Sequence, residues 1–549
     1  MLKLTPLGGL GEIGLNMMAV EYGKTIFVID AGLMFPEDYM LGVDYVIPDM
    51  SYLRLNQKRV AGIVLTHAHE DHIGALPYLL KTVNAPVFGT PFTLGVVKHK
   101  LEEHELLHGV ALHVVHPRET LKIGPFELEF IRVNHSVVDG VGIAIRTPHG
   151  TIVHTGDFKF SHTTIDGMAT DVNRFSRYGE EGVLALLSDS TNVECSGYTV
   201  SDEEIEASLR SICEQCTGRM IVALFASNIG RIQQIVEIAR SSNRKIVFNG
   251  RSIEVTVNIA RQLGYLKLAR GMEINIDEID QYSDDEIILV TTGSQGEPMS
   301  ALARMASGTH RQIKIKPDDT VILSSKFIPG NEKAINSIIN DLFRAGANVI
   351  YEKIANIHVS GHAFQEELKM MLRLTKPRYF IPIHGEYRHL VLHARLAVQM
   401  GIARENILLA QNGQPITFGP HGASIETRVP TGRLLIDGKG VGDVGRCVLK
   451  ERRMLSEEGM VVVNMAFDED TGVIIYGPDV VSKGFVFETE TGHLLDDAQC
   501  VVLEIVEDVS PEVPNRTDII RSRVQAALRQ YFFFTIGRRP VILPFIVEV

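Results

Sequence analysis

The stretch "THAHEDHIGALP" (Thr66–Pro77) crowds His67, His69, Asp71 and His72 into one turn, directly after the apolar run "GIVL". A strand alternates its faces, but the turn that follows it can fold such a set towards one point. Imidazoles mixed with a carboxylate suit zinc, manganese or iron, and the lack of cysteine in the cluster argues against a closed structural zinc site. Asp71 and His72 are adjacent and diverge, so a single cation cannot easily use all four. Two cations explain the set better, with His67 and His69 on one and Asp71 and His72 on the other. More ligands are then needed, and candidates stand after other apolar runs. They are His135 in "VNHS", Asp157 in "HTGDF", whose two oxygens could bridge both ions, and His384 in "PIHGE".

Three other patterns invite chemistry and are read as packing or turns. "HELLH" (His104–His108) matches a zinc-protease helix motif, with His104 and His108 as ligands and Glu105 as base. Its setting is a charged helix face with no third ligand downstream. "GLGEIG" (Gly9–Gly14) matches a dinucleotide fingerprint, but strand patterns follow it where a helix is required, so it is read as a turn. Cys213 and Cys216 form a lone CxxC at helical spacing, which is read as packing.

The elements that must carry the candidate ligands are mostly strands. "TIFVID", "GIVLT", "APVFG", "FELEFIRVNH" and "VLALLSDST" are strand-like, and a hairpin turns at Pro148–Gly150. A helical pattern spans Pro91 to His108. From about Ser201 apolar strands alternate with helices as far as about His358, which predicts a separate parallel α/β sheet. A Gly-rich stretch, Asp437–Gly445, reads as a linker. The last hundred or so residues predict a small α+β unit with strands and one amphipathic helix, "RTDIIRSRVQAALRQYFFF".

A chain of 549 residues is too long for one hydrophobic core. No secretory signal pattern and no long uncharged apolar stretch is seen, so the expectation is a cytoplasmic protein with no membrane contact. Five cysteines argue against a disulfide framework. A net charge of −13 argues weakly against non-specific binding to duplex nucleic acid, yet bound cations and a local groove can do that electrostatic work.

HxHxDH followed by a separated His, Asp and His resembles the metallo-β-lactamase superfamily. The resemblance implies an α/β fold: an αββα sandwich with the metals at one sheet edge and hydrolytic chemistry there. The α/β insertion between Asp157 and His384 resembles the β-CASP group of that superfamily. "SDST" matches its motif A through Asp189, "HVSGH" its motif B through His362 and "PIHGE" its motif C. Within the group the chain is similar to the ribonuclease J family, through "PLGGLGEIGLNM", "LTHAHEDHIGALPYLL", "FASNIGR", "TTGSQGEPMSAL" and "HVSGHAFQEELK". Phe364 is a departure, at a position expected to be small or polar. The implied division is a metallo-β-lactamase core at 1–205 and 361–440, a β-CASP insertion at 206–360 and a C-terminal α+β domain at 450–549.

The resemblance implies a two-metal ribonuclease, both endonuclease and 5′→3′ exonuclease, favouring 5′-monophosphate ends. It would act on single-stranded RNA in RNA processing and decay. His362 is the candidate acid for the leaving group, and Asp189 would orient a histidine through its second ring nitrogen. Ser227 and Asn228 stand at a predicted helix N-terminus, where free N–H groups favour an anion, and His358 and Ser360 are the family's facing partners for that phosphate. Phe327 and Tyr387 are candidates for base stacking. The "TTGSQGEP" loop reads either as a phosphate-facing turn or as a plain βα turn. The cofactors are two divalent ions, with zinc favoured and manganese competing. A homodimer or homotetramer through the C-terminal domain is implied, as are contacts with an RNA-decay helicase or other nucleases. A nuclease acting on DNA or on one RNA-processing site, or an inactive scaffold in an RNA-decay assembly, are the alternatives.

Overall fold

The computed structural model describes residues 1–161, 169–297, 299–325, 331–352, 354–355, 357–468, 471–486 and 493–549. The chain divides into two compact units, 1–35 with 45–434, and 36–44 with 435–549. Two sheets face each other in the first unit. One has eight strands, in the order Gly422–Ile425, Ile416–Gly419, Leu2–Gly8, Met17–Tyr22, Thr25–Ile29, Val60–Val64, Val87–Gly89 and Leu112–Val114. The other has six, in the order Tyr379–Ile383, Val183–Asp189, Gly150–His154, Val141–Thr147, Phe126–Arg132 and Thr120–Ile123.

Period-two alternation explains the layering. Ile143 and Ile145 point inward to meet Phe27, Ile29 and Leu4 of the opposite sheet, while Ala144 points outward. The outer face of the six-stranded sheet packs on helices Val172–Glu181, Gln365–Thr375 and Tyr387–Gln399 through Phe175, Tyr178, Met371, Leu372 and Leu396. The first and last strands of the layer pair come from opposite ends of this unit's sequence, so the sandwich closes only once the insertion has been passed.

Between Asp202 and Ile350 lies a third sheet of five parallel strands, in the order Lys245–Asn249, Ile287–Thr291, Met220–Ala223, Thr320–Leu323 and Asn348–Ile350. Its central strands, "IILVT", "MIVA" and "TVIL", are buried at every residue, as strands covered by helices on both faces must be.

The second unit holds a three-stranded sheet, Ile474–Lys483, Met460–Phe467 and Val541–Glu548, packed on helices Leu494–Glu507 and Arg516–Ile536 through Val463, Val502, Leu528 and Ile546. Where one helix was expected there are three among the described residues, the others being Arg446–Glu458 and Leu494–Glu507. The run "QCVVLEIVE" is rich in β-branched residues and resembles a strand. Leu494, Ala498, Val502 and Val506, spaced by four, bury one helical stripe, and that packing outweighs local propensity.

The helix expected from Pro91 to His108 stops at Glu103. Leu106 N–H closes back on Leu101 O at 2.9 Å and Glu105 takes a left-handed φ of 58°, a Schellman ending. His104 and His108 therefore do not share one continuous helix, and the zinc-protease pattern is not formed. Gly9, Gly11 and Gly14 all have positive φ, which makes "GLGEIG" a set of turns. Cys213 is buried in helix Asp202–Gln215 and Cys216 caps its end.

Candidate metal centre

Each sandwich sheet delivers most of its chemical groups at the carboxyl ends of adjacent parallel strands, while His135 follows Phe126–Arg132, which is antiparallel to both its neighbours. Thr25–Ile29 runs parallel to Val60–Val64, so Asp30 and the Thr66–His72 turn emerge side by side. Gly150–His154, Val183–Asp189 and Tyr379–Ile383 are likewise parallel neighbours, which sets Asp157, Asp189 and His384 at one edge. A short helix, Glu70–Ile73, then turns Asp71 and His72 towards that edge.

The side chains form three groups, the second and third sharing Asp157 and His384: His67, His69 and His135; Asp71, His72, Asp157 and His384; and Asp157, Asp189, His362 and His384. Within each group the ligand atoms lie within 4.8 Å of one another. His69 Nδ1 is 3.1 Å from His67 Nε2 and 3.0 Å from His135 Nε2. Nitrogens bound to one zinc at about 2.1 Å stand roughly 3.0–3.4 Å apart, so this spacing suits a common cation. Asp157 Oδ2 is the shared atom. It lies 3.2 Å from His72 Nε2, 3.4 Å from His384 Nε2, 3.7 Å from His67 Nε2 and 3.8 Å from His135 Nε2. Among the described residues this buried oxygen has no hydrogen-bond partner. A buried carboxylate oxygen left without a donor is costly, and bound cations would satisfy it.

The opposite ring nitrogens complete the case. His67 Nδ1 meets Thr66 Oγ1 at 2.9 Å, and that hydroxyl donates onward to Asp30 Oδ2 at 2.8 Å. His72 Nδ1 meets Asp30 Oδ2 at 2.8 Å, and His135 Nδ1 meets the Gly361 carbonyl at 2.6 Å. A Cβ at Gly361 would sit 2.6 Å from the His135 ring, so this close approach needs glycine. His384 Nδ1 meets Thr191 Oγ1 at 2.6 Å, and the Thr191 hydroxyl is 3.2 Å from the His384 carbonyl. With each Nδ1–H donated outward, the Nε2 lone pairs of His67, His72, His135 and His384 face the centre, as ligation requires. His69 alone turns Nδ1 inward, its Nε2 lying 3.4 Å from Ser136 Oγ.

Electrostatics separates the two sides. Burial, joined by the neighbouring rings, pushes His67 and His135 well below the usual imidazole range and His69 down to about 4, so this trio is neutral and ready to ligate. Burial also opposes charge on His72 and His384, but there the carboxylates prevail. Asp157, Asp71 and Asp30 raise His72, and Asp157 with Asp71 and Asp189 lifts His384 to about 9. On this side a cation would take the place of ring protons. His362 Nδ1 is held by Asp189 Oδ2 at 2.8 Å, and its ring lies 4.8 Å from that of His135.

Asp30, Thr66, Thr191 and Asn16, whose Nδ2 contacts the Asp71 carbonyl at 3.0 Å, support the ligands and were not singled out from the sequence. Asp30 ends the apolar run "TIFVID" just as the candidate ligands end theirs, and that was the available signal. The remaining predicted residues among those described fall in four places. Asn228 is the N-cap of helix Ile229–Ser241, its Oδ1 accepting from Arg231 N–H at 3.0 Å, with Ser227 just before it. His358 and Ser360 lie on the segment returning from the insertion, and Tyr387 begins helix Tyr387–Gln399 with its ring half exposed. In the "TTGSQGEP" loop Ser294 and Gln295 are buried, and Gln295 donates to Ser325 Oγ at 3.0 Å. Phe327 and Pro298 lie outside the described residues.

Thr191→Val removes the hydroxyl that holds His384 Nδ1 while keeping the side chain's shape. Metal affinity is expected to fall about 10- to 100-fold, as for loss of a ligand's outer hydrogen bond, with Thr191→Ser restoring it. Competition with a chromogenic chelator measures this.

An αββα sandwich with His and Asp ligands converging from strand ends of both sheets defines a hydrolase of the metallo-β-lactamase superfamily. Comparison with known proteins agrees. Residues 10–200 match the metallo-beta-lactamase superfamily, 217–342 the ribonuclease J beta-CASP domain, 346–409 the Zn-dependent metallo-hydrolase RNA specificity domain and 447–549 the ribonuclease J C-terminal domain. The chain is 43% identical to ribonuclease J 1 of Streptococcus pyogenes, over 98% of this chain and 96% of that protein. It is 39% identical to ribonuclease J2 of Bacillus subtilis, over 100% and 98% of the two chains. A solved protein of unknown function from Enterococcus faecalis shares the fold alone, with a TM-score of 0.54 at 15% identity over 76% of this chain and 99% of that one. The chain belongs to the ribonuclease J family. It is a metal-dependent ribonuclease that binds RNA, and the His/Asp cluster is its candidate site for divalent ions. Among the described residues no helix is long and apolar enough to cross a membrane.

Proposed function

We propose that this ribonuclease cuts single-stranded RNA both internally and stepwise from the 5′ end, preferring a 5′-monophosphate, in cytoplasmic RNA processing and decay. The observation that carries the reading is the topology of the insertion. Met220–Ala223 and Thr320–Leu323 are parallel neighbours whose connections leave in opposite directions, and a crevice opens at the carboxyl ends of strands so arranged. Ser227 and Asn228 follow the first strand, at the N-terminus of helix Ile229–Ser241. Ser324 follows the second and donates to the Ile357 carbonyl at 2.6 Å, tethering the segment that carries His358 and Ser360 to the same strand end. A helix N-terminus facing hydroxyl and imidazole donors suits a terminal phosphate.

The ligands are assigned as His67, His69 and His135 for one ion and Asp71, His72 and His384 for the other, with Asp157 shared; zinc is favoured over manganese by the number of imidazoles. When bound, the ions acidify water and stabilise charge on the phosphodiester oxygens. His362, fixed through Nδ1 by Asp189, presents Nε2 to deliver a proton to the departing 3′-oxygen. Residues 206–360 act as the wall opposing the core (1–205 and 361–440), and Tyr387 offers a stacking face to a base.

The test uses one RNA sequence carrying a 5′-monophosphate or a 5′-hydroxyl, end-labelled, with and without chelator. Mononucleotide release that depends on metal and on the phosphate is expected. Ser227→Ala combined with His358→Ala should lower the phosphate preference by ten-fold or more; an unchanged preference overturns the pocket, and cleavage of single-stranded DNA alone overturns the substrate.

Self-association is assigned to the domain at 450–549. The sheet face turned away from helices Leu494–Glu507 and Arg516–Ile536 presents Leu543, Phe545 and Val547 beside Val462, Ala466, Val481 and Tyr476, with Phe545 57% exposed. A second copy of the same face would cover it as a homodimer, and a pair of dimers would make a homotetramer. Leu543→Asp with Phe545→Asp is expected to reduce the particle to monomer in light scattering, and an unchanged mass counts against it. A helicase or further nuclease of RNA decay is the proposed outside partner.

A further inference from the structure

The loop after strand Val183–Asp189 also reaches a residue of the proposed phosphate pocket. Asn192 is 8% exposed and extends its side chain to the segment returning from the insertion. Its Nδ2 lies 2.5 Å from Ser360 Oγ and 3.2 Å from the His362 carbonyl oxygen. A backbone carbonyl can only accept, so the amide must face it with its NH₂ group, and the same NH₂ donates to Ser360. Ser360 Oγ also receives the backbone N–H of His362 at 3.1 Å. A serine hydroxyl has one hydrogen and two acceptor sites. Both acceptor sites are taken, and only the hydrogen remains for a ligand.

From this count we infer that Asn192 is a specificity-determining positioning residue: by filling the acceptor sites of Ser360 it makes that hydroxyl an obligate donor. The inference rests on the proposal that Ser360 faces the 5′ end of the RNA. A doubly ionised terminal phosphate offers only acceptors and satisfies such a donor with a charge-assisted hydrogen bond. A terminal hydroxyl brings a hydrogen of its own, which Ser360 has no lone pair to receive. The neutral end is thus left with a weaker, one-way contact, and discrimination follows from lone-pair occupancy as well as from charge.

The experiment measures kcat/KM of the metal-loaded enzyme for 5′-monophosphate RNA over 5′-hydroxyl RNA of the same sequence. Asn192→Asp is isosteric but accepts where the amide donated. It draws the Ser360 hydrogen inward, and the ratio is expected to fall about ten- to a hundred-fold, the range for losing a hydrogen bond to a charged group. Ser360→Ala should lose a similar factor, and the double variant no more than Ser360→Ala alone. Asn192→Ala, which opens one lone pair without adding charge, should fall between wild type and Asn192→Asp; it decides the matter if melting curves show that Asn192→Asp does not fold. A wild-type ratio in the folded Asn192 variants, beside a lowered ratio in Ser360→Ala, overturns the inference and leaves the pocket standing. A wild-type ratio in Ser360→Ala overturns the pocket reading, and the inference with it.

Discussion

Asp157→Asn is expected to lower kcat for RNA cleavage by about 10³-fold or more and to leave the protein with fewer than two bound ions. The carboxylate is the one group whose oxygen faces His67, His72, His135 and His384 together. An amide of the same shape can bind through its carbonyl oxygen, but it brings no negative charge and directs two hydrogens at ring nitrogens that need to present lone pairs. The centre loses its bridge and, with it, the charge stabilisation that a preorganised site provides. Elemental analysis beside single-turnover cleavage checks both halves. Full activity with both ions retained would mean that Asp157 is not the shared ligand.

His362→Ala is expected to do something different: two ions retained, with kcat down by about 10²- to 10⁴-fold, the usual contribution of a positioned general acid. The ring sits beside the cluster and has its Nδ1 committed to Asp189. Because its atoms also fall within the third candidate group, loss of one ion in this variant would make it a ligand instead. An RNA with a better leaving group, such as a bridging 3′-phosphorothiolate, sharpens the distinction, since it needs no proton and should recover most of the lost rate.

Much of this centre was legible because its ligands follow apolar strands. His67, His69, Asp71 and His72 share one turn, Asp157 and His384 each end a run of buried residues, and His135 follows the largely apolar strand Phe126–Arg132. The supporting residues were harder to see for a physical reason. Asp30 matters because Thr25–Ile29 lies beside Val60–Val64, and Thr191 because Val183–Asp189 lies beside Tyr379–Ile383. Strand adjacency is a property of the folded sheet, and spacing along the chain does not encode it. The same holds for Asn192, which lies 168 residues from Ser360. The three-helix C-terminal unit escaped because its helix Leu494–Glu507 is written in residues that favour strands, and only burial of every fourth side chain decides between them.

His384 closes on Asp71 across 313 residues. During translation, then, a growing chain that has passed the ribosome as far as the five-stranded insertion holds His67, His69 and His135 but lacks the last donor for the second ion. On the ligand assignment proposed above, the enzyme cannot arm itself until nearly four hundred of its 549 residues have been made, which keeps an RNA-degrading activity silent on its own nascent chain through more than the first two thirds of translation.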